Sequence, residues 1–445
     1  MTDSGRVTIV GGGLAGSEAA LTCAAHGVAV TLYEMRPLSM TPAHRTGDLA
    51  ELVCSNSLRS EELTRATGLL KAEARLLGSR LLQIAERVRI PAGVGLVVDR
   101  VAFSRAVTEA VENNPLITVV REECASLPSE RPLIVATGPL TSRPFAEALR
   151  NFLGVDSFLH FFDAVAPLVY ASSIDRRIAF EQNRYGKGEG HYLNCPLTED
   201  EYDRFYEALV SAEKHPLEIQ GEERYFEACL PIEEIARRGK EALLFGPLKP
   251  VGLVDPQTGR RPYAVVQLRQ DDVAGELYNM VGFQTNLRYG EQERVFRLIP
   301  GLEKAEFARY GKMHLNTYIE SPRVLDPDLS LRRDNAVFVC GQLTGAEGYA
   351  EAIATGVLAG INAARRLLGE KPLVLPETTA LGSLVRYLTH EAHTRFEPMH
   401  ASFGLLPPLG RRMRKRERYA AYAERALRDL ERYLADSVKD GKELV

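Results

Sequence analysis

The stretch RVTIVGGGLAGSEAALTCAAHGVAVTLYE, residues 6–34, decides the fold of this chain. It predicts a buried strand, a glycine turn, an Ala-rich helix over 14–26, and a second strand that ends at Glu34. Gly27 can end the helix, because glycine readily adopts the left-handed conformation that follows a last turn. This order of elements is typical of the first βαβ unit of a parallel sheet that binds a dinucleotide.

The glycines of this unit fit the spacing G-x-G-x-x-G at Gly11, Gly13 and Gly16. They allow, in turn, a tight turn, backbone approach to a pyrophosphate, and close packing of the helix on the strand. Glu34 lies 23 positions after Gly11, near the spacing of an acid that binds ribose hydroxyls. The predicted nucleotide-binding residues of the unit are Gly11, Gly12, Gly13, Leu14, Ala15, Gly16 and Glu34.

Two later segments favour FAD over NAD as the bound nucleotide. RPLIVATGPL, residues 131–140, is an apolar strand that ends in Ala-Thr-Gly, and residues 335–367 form a strand that breaks at Gly341 and enters a small-residue helix from about Ala346. A helix start offers N–H groups to an anion. This succession resembles the glutathione-reductase class of FAD proteins, although an ordinary NAD domain stays open as the alternative. It adds to the cofactor site Ala136, Thr137, Gly138, Gly341 and Gln342.

A second glycine fingerprint is missing from the sequence, so we expect NAD(P)H to dock transiently. The net charge of −4 predicts no polyanion partner for the molecule as a whole. Six scattered cysteines without a CxxC pair predict reduced thiols and no metal site. No apolar run approaches the roughly 20 residues that span a membrane. We therefore expect a soluble, cytoplasmic protein without a membrane partner.

The chain divides into a split frame, an insertion and a tail. We expect an FAD-binding domain over 1–150 plus 325–370, and an inserted α+β substrate domain over 151–324. Residues 371–445 form a helical, basic C-terminal segment. The predicted fold class is α/β, with a glutathione-reductase-type Rossmann domain that carries this insertion and this tail.

The tail concentrates positive charge. Between Gly410 and Leu434 nine positive residues face four negative ones, a local excess of five. One interpretation is a solvated helix face; the other is a phosphate-binding helix start with Tyr419 and Tyr422 interleaved. Under the second interpretation the residues that bind tRNA are Arg411, Arg412, Arg414, Lys415 and Arg416.

Two cysteines lie in polar surroundings: Cys54 in AELVCSNSLRS, and Cys229 in ERYFEACLPIEEIARRG. Thiolates, not thiols, are nucleophiles, so a reactive cysteine needs nearby positive charge or an open polar site. Arg59 follows Cys54 by five residues, and Arg224 precedes Cys229 by five. The spacing alone leaves both a chemical and an incidental role open.

Several segments together resemble the bacterial folate- and FAD-dependent tRNA (uracil-5-)-methyltransferases over essentially the whole chain. They are VTIVGGGLAGSEAA, ELVCSNSLRS, EACLPIEE, GFQTNL and CGQLTGAEGYAEAIATG. The resemblance implies transfer of a methylene from 5,10-methylenetetrahydrofolate to uracil C5 in the tRNA T-loop. Reduced FAD, which NAD(P)H regenerates, then reduces the methylene to methyl.

The same resemblance implies roles for individual residues. Cys229 adds to uracil C6 and so makes C5 nucleophilic, while Cys54, beside the flavin, takes part in proton transfer or guards the methylene. The pterin needs a flat slot with amide-type partners. The candidates for this folate slot are Gln284, Asn286, Glu347 and Tyr349.

Two other functions compete with this one. A flavin oxidoreductase that acts on a small molecule would need no tRNA contact, and its basic tail would only be solvated. An FAD-bearing, non-catalytic tRNA-binding protein would have inert cysteines. Methyl incorporation into tRNA from a folate donor separates all three.

Overall fold

The computed structural model describes residues 5–154, 159–186, 192–216, 230–390, 396–410 and 413–439. In chain order the strands are β1 (Arg6–Val10), β2 (Ala29–Glu34), β3 (Ser57–Ser60), β4 (Arg89–Ile90), β5 (Gly95–Val98), β6 (Ile117–Arg121), β7 (Leu133–Val135), β8 (Leu159–Val165), β9 (Leu168–Tyr170), β10 (Phe180–Gln182), β11 (Tyr192–Leu197), β12 (Ala264–Gln270), β13 (Leu277–Met280), β14 (Phe307–Arg309), β15 (Lys312–Tyr318), β16 (Ser330–Leu331) and β17 (Asp334–Val339).

The helices follow the same chain order. They are α1 (Leu14–Ala25), α2 (Ala66–Leu76), α3 (Arg80–Arg87), α4 (Arg100–Glu112), α5 (Arg143–Leu153), α6 (Glu199–Val210), α7 (Ile232–Arg237), α8 (Lys240–Phe245), α9 (Tyr289–Phe296), α10 (Ser321–Val324), α11 (Tyr349–Leu367), α12 (Ala380–Thr389) and α13 (Lys415–Lys439). Short 3-10 turns occupy Ala171–Ser173, Arg184–Gly186 and Gln342–Thr344.

A mostly parallel sheet joins the two ends of the predicted frame. Its order is β16-β17-β7-β1-β2-β6, and β16 alone among these strands pairs antiparallel. Val10, at the end of β1, lies opposite Tyr33 of β2 and Val135 of β7. The carboxyl ends of these strands therefore meet at one edge, where open α/β sheets bind ligands.

Helices α1 and α11 pack closely against each other because α11 carries glycine at the contact. A Cβ on Gly356 would lie 2.5 Å from the carbonyl oxygen of Ala15, and one on Gly360 would lie 2.9 Å from that of Ala19. The helix begins at Tyr349, three residues later than the sequence predicts. Gly345 and Gly348 have φ of 85° and 125°, and these values interrupt helical geometry before it.

A second sheet is antiparallel throughout, in the order β10-β11-β12-β13-β9-β14. It has its own apolar core, in which Phe205 of α6 and Phe296 of α9 pack with Phe283. Two smaller sheets lie beside it. These are the ribbon of β8 and β15, and the order β3-β5-β4, whose first strand follows the loop that carries Cys54.

The C-terminal helices dock on the nucleotide-binding half. Glu73 of α2 accepts hydrogen bonds from the N–H groups of Ala380 and Leu381, at 2.7 and 2.8 Å, and so caps α12. Helix α13 buries Ala426 and Leu430 in the core around α1 and α11. In the described ranges, every helix is too short or too polar to cross a membrane.

Candidate active site

A groove at the carboxyl edge of the parallel sheet holds most of the predicted nucleotide-binding residues. Its empty volume is about 1000 Å³, part of it open to solvent. The predicted residues that line it are Gly11, Gly13, Leu14, Ala15, Glu34, Ala136, Thr137, Gly138, Gly341, Gln342 and Tyr349.

The three fingerprint glycines meet three different steric demands. Gly11 has φ of 102°, and its Cβ would lie 2.5 Å from the carbonyl oxygen of Ala136. A Cβ on Gly16 would lie 1.8 Å from the carbonyl oxygen of Gly11, so this position packs the helix on the turn. A Cβ on Gly13 meets no protein atom within 4 Å, although Gly13 lines the groove. Only at Gly13 would an added methyl project into the space for a ligand.

The start of α1 fits a diphosphate. The first N–H groups of a helix lack intrahelical acceptors and carry partial positive charge. The first turn of α1 contains no acidic residue that would occupy them. Because Gly13 leaves the approach open, this helix start can receive the phosphates of FAD.

Glu34 is buried at the end of β2 and holds the glycine turn. Its Oε2 accepts from the N–H of Gly12 at 2.8 Å, and its Oε1 accepts from the backbone N–H and Nε of Arg36, both at 2.9 Å. Burial raises the pKa of Glu34, but Arg36 and Gly12 outweigh it and hold the pKa below its usual value. A carboxylate has about four lone-pair sites. Because Oε2 also accepts from Arg36 Nη2 at 3.3 Å, the hydrogen bonds from Gly12 and Arg36 use all four, and a ribose hydroxyl could bind Glu34 only in place of one of them. Arg36, which also lines the groove, was not predicted from the sequence.

The loop that carries Cys54 lies at this groove. Tyr349, which lines the groove with Val53, accepts hydrogen bonds at its hydroxyl oxygen from the N–H groups of Cys54 at 2.8 Å and Ser55 at 3.2 Å. The half-buried Cys54 thiol lies 3.9 Å from the carbonyl oxygen of Ala164 on β8. Burial raises the pKa of the Tyr349 phenol, which therefore stays protonated.

The four folate candidates separate into two places. Beside Tyr349, the buried Glu347 accepts from Tyr318 Oη and from Gln342 Nε2, each at 2.7 Å. Gln284 and Asn286 instead brace the segment that follows position 229. Ile232 donates to the carbonyl oxygen of Gln284 at 2.7 Å, and Glu233 accepts from the N–H of Asn286 at 2.7 Å. Cys229 itself lies outside the described residues.

The basic helix start is exposed. Arg411 and Arg412 lie outside the described residues, whereas Arg414, Lys415 and Arg416 are exposed at the start of α13. The Lys415 Nζ and the Arg418 guanidinium lie 5.8 and 5.6 Å from the ring centre of Tyr419, within cation–π range. The Phe403 ring stacks on the Tyr419 ring, with 4.6 Å between the two ring centres. Among the residues that the structure describes, no cluster of three or more His, Cys, Asp or Glu could hold a metal.

Known proteins match this chain over most of its length. A family model described as glucose inhibited division protein A matches residues 6–371. The methylenetetrahydrofolate--tRNA-(uracil-5-)-methyltransferase of Heliobacterium modesticaldum is 55% identical, over 97% of this chain and 98% of that protein. The protein of the same name from Moorella thermoacetica is 56% identical, over 95% of this chain and 97% of its own length.

A solved structure has the same fold at low identity. The GidA structure of Aquifex aeolicus superposes with a TM-score of 0.71 and 17% identity, and the match covers 99% of this chain and 76% of that chain. At this identity the likeness shows the fold alone. That fold is a mixed α/β architecture with a Rossmann-type half.

Proposed function

Since the chain belongs to the family of methylenetetrahydrofolate--tRNA-(uracil-5-)-methyltransferases, we propose that it methylates uracil C5 in the T-loop of tRNA. The methylene donor is 5,10-methylenetetrahydrofolate, the cofactor is FAD, and NAD(P)H is the transient reductant. Bound FAD, once reduced, supplies the one-carbon carrier and the hydride. The two methyltransferases share more than 50% identity with this chain over nearly its full length. This identity does not favour the alternative function, an oxidoreductase that acts on a small molecule.

The observation that carries the proposal is the position of Cys54. Tyr349 connects the thiol loop to the nucleotide groove, because its ring lines the groove and its hydroxyl holds the N–H groups of Cys54 and Ser55. A thiol at the edge of a flavin site can serve proton transfer or shield a bound methylene. This supports a chemical role for Cys54.

Cys229 is proposed as the nucleophile for uracil. Uracil C5 is a poor nucleophile, and addition of a thiolate at C6 gives C5 the electron pair with which it attacks the methylene carbon. Loss of the C5 proton then breaks the bond between the methylene carbon and its carrier, hydride addition to that carbon gives the methyl group, and elimination from C6 returns the thiolate. Gln284 and Asn286 brace the backbone that follows this cysteine. With Glu347 and Tyr349 they are proposed to bind the folate.

The division into domains follows from the two sheets. We assign 1–150 plus 325–370 to FAD binding, because strands from both stretches share the parallel sheet. The segment 151–324, with its own sheet and core, is proposed as the substrate domain. The segment 371–445 is proposed as the tRNA-contacting tail.

The start of α13 is proposed to contact tRNA phosphates. A helix N-terminus carries partial positive charge, so Lys415, Arg416 and Arg418 oppose the helix dipole there, and they outnumber Glu417, the acidic residue of the same turn. This arrangement costs helix stability and instead attracts an anion such as a phosphate backbone. Because tRNA is its substrate, we propose that the protein works in the cytoplasm.

The experiment that tests the function is methyl incorporation into unmodified tRNA from labelled methylenetetrahydrofolate. Cys229→Ala and Cys54→Ala should each reduce incorporation to background. Both variants should keep their FAD, and NAD(P)H should still reduce it, because that step needs no uracil. Cys195→Ala is the matched control, since Cys195 is buried on β11 in the core of the second sheet.

Trapping separates the two cysteines. A tRNA with 5-fluorouridine at the target cannot complete the reaction, so it should form a covalent adduct with protein that retains Cys229. If the adduct persists in Cys229→Ala and disappears in Cys54→Ala, the two roles are exchanged. Normal methylation by both single variants would refute the proposed chemistry.

A further inference from the structure

Three arginines hold the loop of residues 52–56, which we call the Cys54 loop. They come from three distant elements: Arg100 from α4, Arg269 from β12 and Arg309 from β14. Arg100 Nη1 donates to the carbonyl oxygen of Leu52. Arg309 donates to the carbonyl oxygens of Val53 and Cys54, at 3.2 and 3.3 Å. Arg269 donates to Ser55 Oγ at 2.7 Å and to Asn56 Oδ1 at 3.0 Å. Each of the five loop residues therefore accepts a hydrogen bond from one of the three arginines.

The cluster carries more positive than negative charge. Its hydrogen-bonded carboxylate is Asp271, which Arg100 contacts through Nε at 3.1 Å and Nη2 at 2.9 Å. The Asp271 carboxyl is buried, which raises its pKa, but the charges of Arg100, Arg309 and Arg269 outweigh burial and hold the pKa below its usual value. Three guanidinium groups thus surround the loop against one carboxylate.

The other charged groups near the loop do not cancel this excess. The carboxylate of Glu51, which precedes the loop, turns away to Arg36 at 3.3 Å and to the N–H groups of Arg45 and Thr46. The Tyr349 phenol stays protonated because burial raises its pKa. Arg45 adds a further positive charge that acts on Arg309.

Arg309 is the least compensated member of the cluster. The acceptors recorded for its Nη groups are the carbonyls of Val53, Cys54 and Ala166, and its buried Nε has no hydrogen-bond partner among the described residues. Burial, followed by repulsion from Arg100, lowers the pKa of Arg309 to about 10, while the Asp271 carboxylate, and the Cys54 thiol when it is ionised, act in the opposite direction. A guanidinium in this setting is expensive to bury unless an anion compensates it.

We propose that Arg309, with Arg100 and Arg269, positions the Cys54 loop and keeps the Cys54 thiol in its thiolate form. Positive charge near a thiol favours the ionised state, and a thiolate is the reactive form of cysteine. Arg309 is therefore a positioning residue that acts through Cys54. The inference deepens the proposed function, because it rests on a chemical role for this thiol.

Alkylation of Cys54 measures this property without tRNA or folate. The FAD-bound protein is treated with iodoacetamide between pH 5 and 10 at constant ionic strength, and the peptide that contains Cys54 is quantified by mass spectrometry. The midpoint of the rate against pH gives the pKa of the thiol, and the plateau gives its accessibility. We expect a midpoint below about 8.5, the usual value for cysteine.

Two substitutions should move the midpoint in opposite directions. Arg309→Met removes a positive charge and should raise it by about one pKa unit, which is roughly a tenfold slower reaction below the midpoint. Arg309→Lys should restore most of the shift. Asp271→Asn removes the negative charge of the cluster with little change in shape, so it should lower the midpoint. Arg184→Met is the control, because Arg184 donates to the carbonyl of Val251 at 2.9 Å, away from this loop.

A change in plateau without a change in midpoint would mean that Arg309 only packs the loop, and would overturn the proposal. A wild-type midpoint at or above the usual value would overturn it too, as would a Cys54 that never reacts. If Arg309→Met does not fold, Asp271→Asn still tests whether the charge of the cluster sets the midpoint, since the proposal requires this variant to lower it. Should the midpoints move as expected while Cys54→Ala methylates tRNA normally, this inference stands and the proposed role of Cys54 fails.

Discussion

Replacement of Gly13 by alanine tests the FAD site with a single methyl group. Gly13 has an extended backbone, with φ of −73° and ψ of −167°, which alanine adopts without strain. Its added Cβ meets no protein atom within 4 Å. The fold should therefore tolerate Gly13→Ala, whereas Gly16→Ala would place a Cβ 1.8 Å from the oxygen of Gly11 and disturb the turn itself.

The Gly13→Ala substitution should weaken the binding of FAD. The methyl at position 13 would stand where the diphosphate approaches the first N–H groups of α1, and would lengthen or break a charge-assisted hydrogen bond. Such a bond contributes about 1.5–3 kcal/mol. We expect a loss of about 2–3 kcal/mol, which is roughly 30- to 150-fold in the dissociation constant of FAD.

The measurement is FAD content after purification, followed by titration of the apoprotein with FAD by flavin fluorescence. Gly290→Ala is the matched control. Gly290 is the second residue of α9, and its Cβ also meets no protein atom within 4 Å, but it lies away from the groove. Unchanged FAD affinity in Gly13→Ala, with both variants folded, would refute the assignment of the glycine turn to the diphosphate.

Two further predictions concern the tail and the cap of α12. Neutralising the basic start of α13 should weaken tRNA binding and flatten its salt dependence, because fewer counterions are released. Filter binding at several salt concentrations measures both effects. Unchanged affinity for tRNA at low salt would favour the solvated-helix interpretation. The substituted residues are Arg411, Arg412, Arg414, Lys415 and Arg416. Burial raises the pKa of Glu73 from 4.5 to about 7, although the hydrogen bonds from the N–H groups of Ala380 and Leu381 act in the opposite direction. The protonated Glu73 therefore contributes stability to the folded state that is fully present below pH about 4.5 and is lost as the pH rises through 7. Glu73→Gln should remove up to about 3 kcal/mol of this pH dependence in urea unfolding at pH 5 and 8, and an unchanged slope between the two would contradict the assignment.

Much of the nucleotide site could be predicted from the sequence because its causes are local. The alternation of strand, turn and helix, the positive φ of Gly11 and the contact of Gly16 with Gly11 depend on neighbours a few residues away. The second demand on Gly11, close approach to Ala136, comes from a distant strand. Glu34 was predicted from its spacing, and it lies at the groove as expected. Arg36, which shares the Glu34 carboxylate, has no spacing rule and was missed.

For the four folate candidates, resemblance and spacing do not predict which way each polar side chain faces. GFQTNL and GAEGYAE offer suitable polar groups, but the structure uses Asn286 and Glu347 in buried hydrogen bonds with Glu233, Tyr318 and Gln342. Whether a polar side chain faces a ligand or another side chain depends on the packing of distant segments. Their part in folate binding stays a prediction.

The sequence by itself determined the nucleotide-binding unit and the two candidate thiols, since periodicity, glycine sterics and residue chemistry are readable along the chain. Only the tertiary structure decided which charges surround Cys54. The sequence neighbour Arg59 is exposed, with φ of 64°, and its charge acts on Glu351 and His400. The guanidinium groups that hold the Cys54 loop come instead from positions 100, 269 and 309. Electrostatic surroundings depend on distance in space, so they arise only when the two sheets and α4 pack around one loop.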